Sequence, residues 1–252
     1  MKPTFLKEFL SALQIPRIGL SIKNRIKLTS RKIFAVFKVQ LVFHGERSET
    51  GLFPHFVEFF LSQSKGVLHV GGHFGQESAY YELMQKPVLW IEADPGAFGV
   101  LSQKIAEAKN QFAVNALVSD SVREESFHVT SNTGMSSSVH PLSSIGEEAF
   151  QIENTHVIQL TTNTLNNLLP AEGLVLDFWV IDVQGHEYQV LRGSDKVIKH
   201  ARWILIEGSN RHFYKDILLF PEVKRLLKSY GFVQVYSPSA DHFEALFINA
   251  NI

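Results

Sequence analysis

The chain has 252 residues, 45% of them hydrophobic, and a formal net charge of −1 at pH 7, which suits one large α/β domain with an appendage or at most two small domains. No cysteine is present, so disulfides, thiolate metal sites and cysteine nucleophiles are excluded. No apolar run approaches the roughly 18 residues of a membrane-spanning helix, and the first residues lack the apolar core and small-residue cleavage site of a secretory leader; a soluble, unprocessed, cytoplasmic chain is expected.

The near-zero total conceals an uneven distribution. Residues 1–40 hold nine Lys/Arg against one acid, Glu8, and the remainder holds fifteen basic and twenty-four acidic residues. Arg17, Lys23, Arg25, Lys27, Arg31, Lys32 and Lys38 lie between apolar residues. That pattern suits an amphipathic helical cap with a solvated basic face, or a peripheral contact with the anionic inner face of a membrane or with an acidic partner. Its aromatic residues look like core positions without interleaved stacking, so no nucleic acid partner is expected. Residues 1–65 are read as a basic helical N-terminal extension that docks on the body, forms a homo-oligomer contact or reaches a membrane-bound acceptor, and residues 66–252 as the main domain.

In "GLFPHFVEFFLSQ", Phe53, Phe56, Val57, Phe60 and Leu61 recur at helical spacing, predicting a helix packed on the body just before the first strand. From Val67 onward short apolar runs alternate with amphipathic segments: "VLHVG" and a helix from about Gln76, "PVLWIE" and a helix from about Gly96, then "FAVNALV". "DFWVID" and a helix from about His186 follow, then "ARWILIE", a helix from about Pro221, "GFVQVYS" and "FEALFIN". Alternation predicts a mostly parallel sheet covered on both faces, and the last two runs, with only a Pro/Ser/Asp turn between them, predict a closing antiparallel hairpin. A long polar insertion after the third strand carries "ESFHVT" and "HVIQLT" as short strands, with the serine-rich "SNTGMSSSVHPLSS" between them. A polar segment of this length in a compact domain is functional or disordered.

In an open parallel sheet, ligands bind beyond the carboxyl ends of the strands. The first such loop is "HVGGHFG", where Gly71, Gly72 and Gly75 allow a sharp turn and close approach of a ligand, and the following helix start adds oriented N–H groups. It fails the dinucleotide pattern G-x-G-x-x-G, because Val70 stands at the first glycine. It fits better as acid-x-Gly-x-Gly-x-Gly, the spacing of S-adenosylmethionine (SAM) binding, with His69 at the acid and His73 at the middle glycine. Glu92, ending the second strand, is placed to accept hydrogen bonds from both ribose hydroxyls of an adenosine ligand, and Ala93 and Glu77 complete the expected cofactor wall. Asp94 and Pro95 read as a helix N-cap and first-turn proline. Asn115 or Asp120 reads the adenine edge, or either simply forms a turn. Asp182 in "DFWVIDVQGHEYQVLRGS" ends a strand on the same edge and is assigned a catalytic, cofactor or metal role; Glu207, His186 and His212 are further catalytic candidates. Ser136, Ser137 and Ser138 are read as hydrogen-bonding an acceptor's hydroxyls, or as part of a linker.

Together "LHVGGHFGQE", "WIEADP", "NALVSD", "GMSSSV", "TTNTLNNLL", "DFWVIDVQGHEYQVLRGS", "ILIEGS" and "ALFIN" resemble the FkbM family of SAM-dependent methyltransferases, from about Val67 to Asn249. The resemblance implies a class I methyltransferase Rossmann-like fold, with a mostly parallel seven-stranded sheet, helices on both faces and a C-terminal antiparallel hairpin. It also implies O-methyl transfer to a hydroxyl of a sugar, glycoconjugate or glycosylated natural product. The family's glycine loop often begins with aspartate, and His69 departs from it. In such a transfer Asp182 is the first candidate for base, and Asp182 with Glu207 the candidate pair for Mg²⁺. The rival expectations are a nicotinamide-dependent oxidoreductase and a non-catalytic SAM- or carbohydrate-binding module.

Overall fold

The computed structural model of the protein describes residues 55–170 and 175–252, so the basic arm lies outside the described residues. The first element, α1 (His55–Gln63), is too short to be stable by itself. It is held because Val57 and Leu61 are completely buried against the sheet, a burial that contributes about 1.5–3 kcal/mol per side chain.

The chain then runs through β1 (Val67–Val70), α2 (Ser78–Leu83), β2 (Val88–Glu92), α3 (Pro95–Lys104), β3 (Gln111–Asn115), β4 (Leu117–Val118) and β5 (Glu124–Thr130). It continues as α4 (Ser144–Phe150), β6 (Thr155–Asn163), α5 (Leu165–Leu168), β7 (Phe178–Ile181), α6 (Glu187–Arg192), β8 (Trp203–Ser209), α7 (Phe220–Ser229), β9 (Phe232–Tyr236) and β10 (His242–Asn249). Asp94 caps α3 through its Oδ1, which accepts from Gly96 N–H at 2.7 Å, with Pro95 in the first turn, as read from the sequence.

The main sheet has seven strands in the order β3-β2-β1-β7-β8-β10-β9, parallel except for β10, which runs antiparallel to both its neighbours. This is the expected class I methyltransferase arrangement. The central strands β1 and β7 are buried at every position because helices cover both faces. Successive side chains go to opposite faces: Leu68 and Val70 enter the core with Trp179, Ile204 and Val190, while Val67 enters the other with Tyr81, Trp90 and Leu101.

The run "FAVNALV" divides at Ala116. Its first half joins the main sheet, and Leu117–Val118 pairs in parallel with β6 in a separate three-stranded sheet, β4-β6-β5. The polar insertion is therefore ordered over most of its length, and its serine-rich loop folds back through two backbone bonds between His128 and Ser138 (2.7 and 3.1 Å).

His69 occupies an apolar position of β1. Its ring stacks on Trp90 with centroids 4.5 Å apart, and its Nδ1 lies 3.1 Å from the Tyr81 hydroxyl. Burial pushes its pKa from 6.5 down to about 3, so protonation favours the unfolded chain. This costs nothing above the unfolded value and grows as pH falls from 6.5 towards 3. His69→Phe, which keeps an aromatic ring against Trp90, should therefore gain stability relative to the parent by about 1.4 kcal/mol per pH unit between pH 6 and 4. Urea unfolding across that range measures it, and a pH-independent difference contradicts a buried neutral imidazole.

Candidate active site

The strands end together. Val70 of β1 is in register with Ile91 of β2 and Ile181 of β7, Ile181 with Ile206 of β8, and Glu92 with Asn115 of β3. The next position on each strand end thus forms a row across the sheet: Asn115, Glu92, Gly71, Asp182, Glu207. With neighbouring strands about 4.8 Å apart, Glu92 and Asp182 stand on the order of 10 Å from each other, on either side of Gly71. The row lies where β1 leads one way to β2 and β7 lies on the other side, the switch point at which such sheets bind ligands.

A cleft open to solvent lies over this row, with about 90 Å³ of free space at its base. Its floor is Val70, Gly71 and Asp182, one wall is Glu92, Ala93, Ala116, Leu117 and Val118, and its cover is Phe127, Gly134, Met135, Ser137 and Val139 from the insertion. Gly71 has φ +87°, and a Cβ there would lie 1.7 Å from the Asp182 carbonyl oxygen, so this turn admits only glycine. Gly72 and Gly75 do a different job: each lets the loop pack on Leu101 of α3.

Glu92 is almost fully buried. Its Oε2 accepts from His73 N–H at 2.6 Å and its Oε1 from Asp94 N–H at 2.8 Å. Burial raises its pKa, opposed by these two backbone bonds. Each oxygen keeps a further lone pair, so the carboxylate both closes the glycine loop and can accept from a diol. With the apolar wall from Ala116 to Val118, this donor and acceptor set fits the adenosine half of SAM. His73, at φ 42°, lines the cleft, and its Nε2 lies 2.9 Å from the Thr133 carbonyl of the insertion.

The remaining expected residues divide. Asp182 lines the cleft and its Oδ1 accepts from Gln184 Nε2 at 2.7 Å. His186 also lines it, but both ring nitrogens are engaged, Nε2 with Ser119 Oγ at 3.0 Å and Nδ1 with His140 Nε2 at 3.2 Å. Burial, then His140, lowers its pKa to about 3, so a proton-accepting role at neutral pH is not what this geometry favours. Glu207 is mostly buried, 2.8 Å from His242 Nε2, and burial followed by Asp182 and Glu187 pushes its pKa well up. Glu77 sits half-buried before α2, its pKa raised by burial and further by the Asp182 charge.

Others are not among the residues that line the cleft. His69 is in the core, Asn115 spends its amide on the Glu92 and Ala93 carbonyls (2.8 and 3.1 Å), and Asp120 pairs with Arg123 at 2.6 Å. His212 is exposed and contributes its carbonyl to Ser143 Oγ. Of the serines, Ser137 lines the cleft, while Ser136 and Ser138 are buried, the latter donating to the Gln184 carbonyl at 2.7 Å.

Sequence reasoning passed over Gln184, Glu187 and Tyr214. Glu187 closes the turn after β7, its Oε1 accepting from Val183 and Gly185 N–H at 3.1 Å each, and burial raises its pKa to about 7. A polar run directly after a strand end, "DVQGHE", was the available signal for both Gln184 and Glu187; Tyr214 offered none.

Glu92→Ala should weaken binding of S-adenosylhomocysteine (SAH), the demethylated form of SAM, by about tenfold or more, the equivalent of one charged hydrogen bond. Calorimetric titration of the folded variant checks this, and parental affinity contradicts the ribose assignment.

Residues 69–233 match the family described as methyltransferase FkbM domain. No curated protein matches the chain. Among solved structures, it is similar to a magnesium protoporphyrin IX methyltransferase from Synechocystis PCC 6803 with bound SAM, at 10% identity and TM-score 0.40 over 77% of this chain and 76% of that one. It is similar to a SAM-dependent methyltransferase from Aquifex aeolicus at 13% identity and TM-score 0.43, over 77% and 88% of the two chains. A TehB-like methyltransferase from Corynebacterium glutamicum shows 9% identity and TM-score 0.42, over 77% and 85%. These likenesses are too distant to bear on residue roles, and the family match stands without them. Matched over most of its length, with the expected strand order, the chain belongs to the FkbM methyltransferase family and is a SAM-dependent methyltransferase.

Proposed function

We propose that this enzyme transfers the methyl group of SAM to a hydroxyl of a sugar, glycoconjugate or glycosylated natural product. The observation that carries the reading is the row of strand ends, which sets a ribose-type acid, Glu92, and a second acid, Asp182, on opposite sides of Gly71 in one cleft. Ser137 of the serine-rich loop also lines the cleft, a hydroxyl suited to hydrogen-bonding a polyhydroxyl acceptor.

SAM supplies an electrophilic methyl group on a sulfonium; the chain's residues align and deprotonate. The new O–CH₃ bond forms as the C–S bond breaks, and the hydroxyl proton passes to Asp182. The Asp182 Oδ1 accepts from Gln184, and the Glu207 carboxyl is a close neighbour of the same group. Orientation and removal of the proton are the two contributions a protein makes to such a displacement.

Mg²⁺ at Asp182 and Glu207 fits this donor set poorly. The Gln184 Nε2 donates to Asp182 Oδ1 and to both Glu207 oxygens (3.0 Å each), placing an N–H donor where a cation would need oxygen. Among the described residues no group of three or more His, Asp or Glu is arranged for a metal. No step is routed through a metal.

The basic arm completes the reading: residues 1–40 hold the cytoplasmic enzyme on an anionic membrane face, close to a lipid-linked acceptor. Among the described residues no helix is long and apolar enough to cross a membrane. Full-length protein should sediment with anionic vesicles and not with neutral ones, and equal recovery with both contradicts the arm's role.

The cofactor half is tested by titration with SAH and, in parallel, NAD. Saturable SAH binding with no NAD signal is expected; NAD binding alone contradicts it. Acceptor hydroxyls are then screened with labelled SAM, where Asp182→Asn should retain SAH binding and lose at least about 100-fold in kcat. Full activity of that variant removes Asp182 as the base.

A further inference from the structure

Gln184 is the polar side chain most tightly tied to Asp182, and the reaction as described gives it no task. Its φ of 55° is left-handed, uncommon for a residue with a side chain. Its Oε1 accepts from the Tyr214 hydroxyl at 2.6 Å. Tyr214 is buried, and the same hydroxyl lies 3.1 Å from the Ser136 carbonyl. With the amide oxygen pinned on that side, Nε2 faces the other way, 2.7 Å from Asp182 Oδ1 and 3.0 Å from both Glu207 oxygens. An amide neither gains nor loses a proton in the working range, so it can hold a carboxylate in place but cannot take part in proton transfer.

We propose that Gln184, oriented by Tyr214, is a positioning residue that aims the Asp182 carboxylate at the sulfonium end of the cofactor and thereby sets the preference for SAM over SAH. The two ligands differ there by one methyl group and one positive charge. A carboxylate fixed beside that charge favours SAM, whereas one free to rotate is solvated and discriminates less. The proposal rests on the reading of Asp182 given above.

The test measures SAM and SAH affinities by calorimetry for the parent, Gln184→Asn, Tyr214→Phe and Asp182→Asn. Asparagine tolerates a left-handed backbone but is one methylene too short to reach tyrosine and carboxylates together. Tyr214→Phe removes a single oxygen and carries the test if Gln184→Asn fails to fold. The SAM:SAH affinity ratio should fall about fivefold or more in the Gln184 and Tyr214 variants, with SAH affinity within about twofold of the parent. Equal weakening of both ligands, which a merely structural role would give, overturns the proposal, as does an unchanged ratio. Asp182→Asn separates the two levels: a lowered ratio there with none at Gln184 and Tyr214 overturns the positioning role alone, and an unchanged ratio at Asp182 overturns its placement at the sulfonium end of the cofactor as well.

Discussion

The in-register ending of the parallel strands is the constraint on which the site depends. Val70, Ile91, Ile181 and Ile206 are buried in one band across the sheet, and a one-residue slip of any strand would send its side chains to the opposite packed face, against neighbours of the wrong shape. The energy that fixes register is therefore spread through the core, and the row that follows, Glu92, Gly71, Asp182 and Glu207, is positioned as a by-product. Gly71 closes the arrangement, since only a residue without Cβ lets β1 turn against the Asp182 carbonyl. Acids spaced along one edge of a rigid sheet need no loop flexibility to hold their separation.

Position relative to the strand end explains why two nearby residues have separate fates, since residues two apart within a strand would share a face. His69 and Gly71 both belong to the glycine motif, yet His69 lies on the face against Trp90 and Tyr81, while Gly71 follows the strand end and opens onto the cleft. Where an aspartate-led loop would carry an acid, this chain buries a neutral imidazole satisfied by a tyrosine hydroxyl. Binding of the glycine loop to its surroundings then falls to Glu92, whose two oxygens take the His73 and Asp94 N–H groups. That acid is both a structural clasp and the best-placed acceptor for a ribose.

Much of the fold was legible because it rests on local patterns. The apolar runs ending in Glu92, Asp182 and Glu207, the Asp94-Pro95 helix start and the reversed last strand all have signals within a few residues. Side-chain direction was not legible. Asn115 and Asp120 have the right chemistry for an adenine edge, but one braces the β2 end and the other is taken by Arg123. Nor does any local pattern bring Tyr214 to Gln184 across thirty residues, or Ser138 to the Gln184 carbonyl; the first contact needs the segment after β8, and the second the insertion, to have folded over the strand ends.

The most direct measurement of the central claim is a crystal structure of the protein with SAH. The expected result has the ribose hydroxyls on Glu92, the adenine against Ala116 to Val118, and the sulfur on the Asp182 side of Gly71. SAH bound with its ribose away from Glu92, or seated outside the row of strand ends, would contradict it.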